Sequence, residues 1–166
     1  VSSRIDNLAM CHSVMTALIN SEPSSFTQIG VFYDNEEVGS LTYQGANGSF
    51  LNELLERIVF SAGEPSKEDF FRAKASSFLI SADGAHGVHP NFADKHDPDY
   101  SPQLNMGPVI KINASYKYAS TSETSLIFQN LCKKLSVPFQ KFIGRSDIPG
   151  GSTIGAISSA NLGIRT

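Results

Sequence analysis

Tryptophan is absent from the 166 residues, and cysteine occurs only twice, at Cys11 and Cys132. Two distant cysteines cannot build a disulfide framework, and without a C-x-x-C pair there is no structural zinc module. Both fall on apolar positions of helical patterns and read as small buried hydrophobes in a reducing, cytosolic compartment. Charge is also scarce: Asp, Glu, Lys and Arg make up 17%, against roughly 25% in an average soluble domain. The formal charge is −3, from 13 basic and 16 acidic side chains. That excludes a polybasic binder of nucleic acid or of membrane surfaces. No uncharged apolar run approaches the roughly 18 residues of a membrane span. Neither H-E-x-x-H nor H-x-D occurs, and no lysine follows Gly150-Gly151, so the Walker loop is excluded as well.

What is there is enough for one globular domain. Residues of the AVILMFWYC set make up 40%, and with glycine the apolar share is close to the usual half. Ordinary hydrophobicity with few charges points to extra buried surface, shared with further sequence or with other subunits. The chain opens on Val1, and Gly163-Ile164-Arg165-Thr166 reads as a strand begun after a helix. Truncation at both ends is the expectation.

Helical and strand patterns alternate. A stripe of Leu8, Cys11, Val14, Met15, Leu18 and Ile19 predicts a helix over 6–20, with Asp6 at its N-cap. Leu51, Leu54, Leu55, Ile58 and Val59 mark a second helix. Ser66 with Asp69 three residues later gives a capping-box start to a third. A fourth runs from Ser122 to Leu135, with Ile127, Phe128, Leu131, Cys132 and Leu135 inward. A fifth runs from Ser152 to Leu162 and stops at Gly163. Short apolar runs at 29–33, 78–82, 109–112 and 139–143 read as buried strands, and the scattered phenylalanines as core. The alternation predicts an α/β domain of stacked layers.

Carboxylates gather where strands end, which is where open α/β sheets bind ligands. IGVFY runs into Asp34-Asn35-Glu36-Glu37, FLISA runs into Asp83-Gly84, and Asp6 opens the first helix. Three or four carboxylates in one partly buried place call for a cation, and divalent metal is the natural one. Two metals held by carboxylates are the pattern of two-metal hydrolases. In an extended segment neighbouring side chains point to opposite sides. One of Glu36 and Glu37 can then bind metal while the other takes a proton from the activated water; spacing does not choose the order. Plainer readings stand beside these: an N-cap for Asp6, a solvated turn for the Glu pair, a turn residue for Asp83, a surface lysine for Lys111. His86 and His89 are separated by Gly87 and followed by Pro90, which argues against a helical metal pair. Residues 147–153 read either as a backbone anion cradle or as a plain turn with a Ser or Thr N-cap.

The segments SRIDN (3–7), DNEEVGS (34–40), Gln44-Gly45-Ala46, SADGAHGVHPN (81–91), GPVIKIN (107–113) and GGSTIG (150–155) occur in this order. Together they resemble the catalytic domain of aspartyl aminopeptidases, most of all the bacterial ones. The resemblance implies a three-layer α/β/α zinc-peptidase fold with a mixed, mostly parallel sheet. It implies two zinc ions per complete site, removal of N-terminal Asp or Glu from peptides, a cytoplasmic enzyme, and a dodecamer. Carried over by residue, Asp6, Glu37 and Asp83 are metal ligands, Asp6 bridging the pair, and Glu36 is the general base. His86, Lys111 and Tyr118 line the substrate pocket, with Lys111 receiving the acidic side chain. Family members also carry an H-x-D histidine ligand and an inserted dimerisation domain before SRIDN, and a second histidine ligand after the last strand. His12, His86, His89 and His96 match neither ligand. Residues 1–166 are thus expected to be the central portion of the catalytic domain, binding zinc weakly and inactive by themselves. The other readings are a structural piece of such a fold without a metal pair, and a related dinuclear aminopeptidase of different specificity.

Overall fold

The computed structural model describes residues 3–166. Along the chain come α1 (Ile5–Ile19), α2 (Phe50–Ser61), α3 (Lys67–Ser76), a 3-10 turn (Pro90–Lys95), β1 (Val109–Ile112), α4 (Ser122–Lys134), β2 (Gln140–Ile143) and α5 (Ile154–Leu162). No described helix is long and apolar enough to cross a membrane.

The helix starts and stops follow local chemistry. Ser66 and Asp69 cap α3 reciprocally, as their spacing predicts, with Ser66 N–H donating to the Asp69 carboxylate at 2.9 Å. Thr121 and Thr124 do the same for α4. Gly163 ends α5 at φ 67°, donating to Ser159 O at 2.9 Å. The predicted start of α1 is corrected. Its N-cap is Arg4, with no side-chain cap, and Asp6 and Asn7 depart from helical backbone angles. Asp6 is therefore released from capping duty. The 3-10 turn was not foreseen; Pro90 at its start and His89, which accepts from Asn91 N–H at 3.1 Å, hold it.

β1 and β2 pair in parallel, with Lys111 opposite Phe142 and Ile112 opposite Ile143. The crossover between them contains α4, so 109–143 is a β-α-β unit. The predicted α/β class holds, but the sheet is smaller than expected. The run 29–33 joins no ladder, and 78–82 contributes one parallel bridge, Phe78 with Arg165, beside Leu79 N–H donating to Arg165 O at 2.9 Å. An apolar run becomes a strand only where a neighbouring edge supplies the other half of its hydrogen bonds. Both runs instead line a groove of about 860 Å³, along with Val14, Leu55 and Leu162.

A small core of Leu51, Leu162 and Ile164, packed by Val31, Tyr33, Leu55 and Leu79, ties α2 and α5 to those two runs. Much of the predicted interior lies open. Leu8, Met15 and Ile19 on α1, Leu131 and Leu135 around α4, and Phe26, Phe50 and Phe71 are exposed. Cys132 is buried as expected, whereas Cys11 is half-buried. The accessible surface is 11683 Å², against about 8000 Å² for a compact monomer of this mass. The apolar stripes were read correctly as apolar, but periodicity does not say what covers them.

Candidate active site

The start of α1 meets the end of the 78–82 run. Asn7 donates from Nδ2 to Ala82 O at 2.9 Å, and Gly84 N–H donates to Asp6 Oδ1 at 3.3 Å. A Cβ at position 84 would stand 2.7 Å from that same Asp6 oxygen, so only glycine allows the approach. Gly84→Ala must push Asp6 aside. We expect it to cost about 1–3 kcal/mol in thermal or denaturant unfolding and to impair any function that needs Asp6 in place. An unchanged midpoint together with unchanged function would show that the contact is dispensable.

The Glu36-Glu37 pair lies in a turn, as its plainer reading had it, and not in an extended segment. Gly39 N–H donates to Glu36 O and Ser40 N–H to Asn35 O, each at 2.9 Å, with Asn35 and Ser40 at positive φ. Backbone bonds from Asp34 to Gln44 and from Asn47 to Ser40 tighten the loop, and Asn161 of α5 holds it through Ala46 O at 3.3 Å. Glu36 is half-buried and Glu37 exposed. Burial raises the Glu36 carboxyl above its ordinary range, and the negative charges of Asp83, Glu37 and Asp6 raise it further, against the pull of Lys111. The four carboxylates thus share one electrostatic neighbourhood.

Lys111 reaches that neighbourhood from β1. Its Nζ donates to Asp83 Oδ2 and to Gly84 O, both at 2.5 Å, with 17% of the lysine side chain exposed. It is neither a surface lysine nor free of the site. The same ammonium sits 5.6 Å from the Tyr118 ring centre. Burial, and after it the Asp83 charge, raise the Tyr118 phenol above its usual value. His86 packs edge-on to Phe142 of β2, ring centres 5.5 Å apart. Burial, His96 and Lys111 hold His86 below the ordinary histidine range.

All seven residues singled out from the sequence therefore fall in one linked region. Among the described residues, no three His, Cys, Asp or Glu side chains stand close enough to share a cation. The donor chemistry nevertheless fits one. Asp6, Glu37 and Asp83 are hard oxygen donors; after burial, their negative charges raise Glu36, and Lys111 opposes them. The buried Asn7 Oδ1 beside Asp6 has no hydrogen-bond partner among the described residues. Imidazole, zinc's usual nitrogen donor, is not in this set. Sequence reasoning missed Asn7, Phe142 and the closeness of His96; only the position of Asn7 next to Asp6 offered a signal. Nothing supports the anion cradle at 147–153, where the Gly150 carbonyl accepts from Lys117 Nζ at 2.7 Å.

Comparison with known proteins gives a consistent answer. The family model described as aminopeptidase I zinc metalloprotease (M18) matches residues 1–166. A "Probable M18 family aminopeptidase 2" of Clostridium acetobutylicum is 50% identical over 165 residues, which are 99% of this chain and 38% of that protein. In the solved complex of Ape4 and Nbr1, one chain is 37% identical with a TM-score of 0.87, over 98% of this chain and 32% of that one. The S. cerevisiae mApe1 dodecamer gives 28% identity and a TM-score of 0.86, over 98% of this chain and 37% of that one. The chain spans about a third of the length of the relatives it matches, 38% of the Clostridium protein and 32% of the Ape4-complex chain.

Proposed function

This chain belongs to the M18 family of zinc metalloproteases, and on that premise we propose that its protein is an aminopeptidase that removes Asp or Glu from peptide N-termini. The observation that carries the acidic preference is Lys111. A half-buried ammonium that already holds a carboxylate at 2.5 Å, next to Tyr118, is built to pair with one. Two of its N–H groups are used on Asp83 and Gly84, which leaves a third for a substrate side chain.

Asp6, Glu37 and Asp83 are the residues of this chain that would hold zinc, two ions per complete site. Zinc, when bound, supplies Lewis acidity that polarises the scissile carbonyl and lowers the pKa of water. Glu36 accepts a proton from the attacking water on its carboxylate and returns it to the leaving amine. Its raised affinity for protons brings it nearer the working range of a general base. His86, kept below its ordinary range, offers the pocket a neutral imidazole. The protein is a cytoplasmic homo-oligomer in this reading. The accessible surface in excess of a compact monomer supports burial against other polypeptide, and the yeast relative is a dodecamer.

Zinc-loaded full-length protein assayed on Asp-, Glu-, Ala- and Leu-anilides tests the proposal. The acidic substrates should be favoured by at least about tenfold in kcat/KM, the scale of one charge-assisted hydrogen bond. Equal rates would leave an aminopeptidase of other specificity. No turnover of any of the four would remove the catalytic reading.

A further inference from the structure

His96 is used by nothing described so far, yet it is the most deeply placed histidine near the site. It leaves the 3-10 turn with 8% of its surface exposed, and both ring nitrogens are buried without a hydrogen-bond partner among the described residues. A buried imidazole in that condition is costly, and a phenyl ring of similar size would fill the space without the penalty. Its position is well fixed. His96 N–H donates to Ala93 O at 3.1 Å, and Arg145, just beyond β2, donates to Asp94 O at 2.7 Å, tying the turn to the strand that carries Phe142.

The neighbours of the His96 ring are aromatic. Phe142 stands edge-on at 6.3 Å and His86 edge-on at 5.2 Å between ring centres. The His86 separation is about what a linear N–H···N hydrogen bond between two imidazoles requires. A half-turn of either ring about Cβ–Cγ exchanges nitrogen for carbon at the contacting edge and leaves the ring centre almost in place. His86 is the only other imidazole in contact with His96 among the described ring pairs.

We propose that His96 is a positioning residue that acts through His86: one imidazole nitrogen of His96 hydrogen-bonds the His86 ring and so fixes which edge His86 turns to the substrate. The inference rests on His86 lying in the substrate pocket, as in the functional reading above. His96 itself touches no substrate, since its nitrogens are covered.

A double-mutant cycle on the zinc-loaded full-length enzyme tests it, using whichever aminoacyl anilide the parent turns over fastest. His96→Phe keeps the ring and removes the nitrogens. It should raise KM about tenfold, the scale of one lost hydrogen bond, with kcat changed less than about twofold and the melting midpoint held. His96→Gln, which restores a donor and acceptor, should recover part of the KM. In a His86→Ala background, His96→Phe should add nothing further. A parental KM in His96→Phe, or full additivity with His86→Ala, overturns the proposal. So does a joint loss of kcat, KM and melting midpoint that Gln does not rescue, which marks a packing role. If His96→Phe does not fold, His96→Leu, which likewise lacks the nitrogens, runs the same cycle. The parent's own Asp-over-Ala preference decides the functional reading separately, so the two can fail independently.

Discussion

Glu36→Gln in the full-length protein is expected to retain its zinc and lose about 10²–10⁴-fold in turnover, the usual contribution of a general base. The amide has the shape of the carboxyl but cannot take the proton. Metal analysis beside an Asp-anilide assay reads both halves, and near-parental turnover would take Glu36 out of its role. The same substitution should affect stability in the opposite direction. Glu36 has a raised affinity for protons in the folded chain, from burial first and then from Asp83, Glu37 and Asp6. Its favourable contribution is therefore present below the ordinary glutamate range and is lost as pH rises through the raised value. Measured without divalent metal, Glu36→Gln should raise the melting midpoint at neutral pH. The gain should fade toward about pH 4, where the parent carboxyl is protonated as well.

Lys111→Leu should reduce hydrolysis of Asp substrates far more than of Ala substrates. A charge-assisted pair in a half-buried pocket is worth roughly 1.5–3 kcal/mol, so the Asp-to-Ala ratio should fall about 10- to 100-fold. The lysine also holds Asp83, and its removal leaves that carboxylate beside Asp6 and the Glu pair without its ammonium. Zinc content therefore has to be measured alongside the rates. A parallel fall on both substrates with loss of metal would mean that Lys111 serves Asp83. A parallel fall with metal retained would place the selectivity on other residues.

Where side-chain and backbone chemistry close locally, the sequence was a sufficient guide. The Ser66–Asp69 cap, the stop at Gly163, and the runs that became β1 and β2 all satisfy their needs within a few residues or through one crossover. The errors in packing share one cause. The run 29–33, the exposed face of α1 and the outward Leu131 and Leu135 are apolar as read, but their covering lies beyond what periodicity encodes. In the site, charge clustering at strand ends pointed to carboxylates that the fold does bring into one electrostatic neighbourhood, Asp6, Glu36, Glu37 and Asp83. The extended reading of the Glu36-Glu37 pair gave way to the turn because Asn35 and Ser40 take left-handed angles; asparagine adopts these more readily than most residues, but serine does not announce them. The His86–His96 contact spans ten positions of irregular chain, and no pattern rule reaches across it.

Lys111 faces Asp83 because of how two four-residue strands are phased against each other. Alternate side chains of a strand leave opposite sides of the sheet, so sliding β1 by one position along β2 would send the ammonium through to the reverse face and bring an isoleucine, Ile110 or Ile112, forward in its place. Substrate preference in this protein is thus open to change from a distance. A bulge, a proline or an altered turn anywhere in the crossover that dephases the ladder would convert the pocket we propose to select acidic side chains into an apolar one with every pocket residue still encoded.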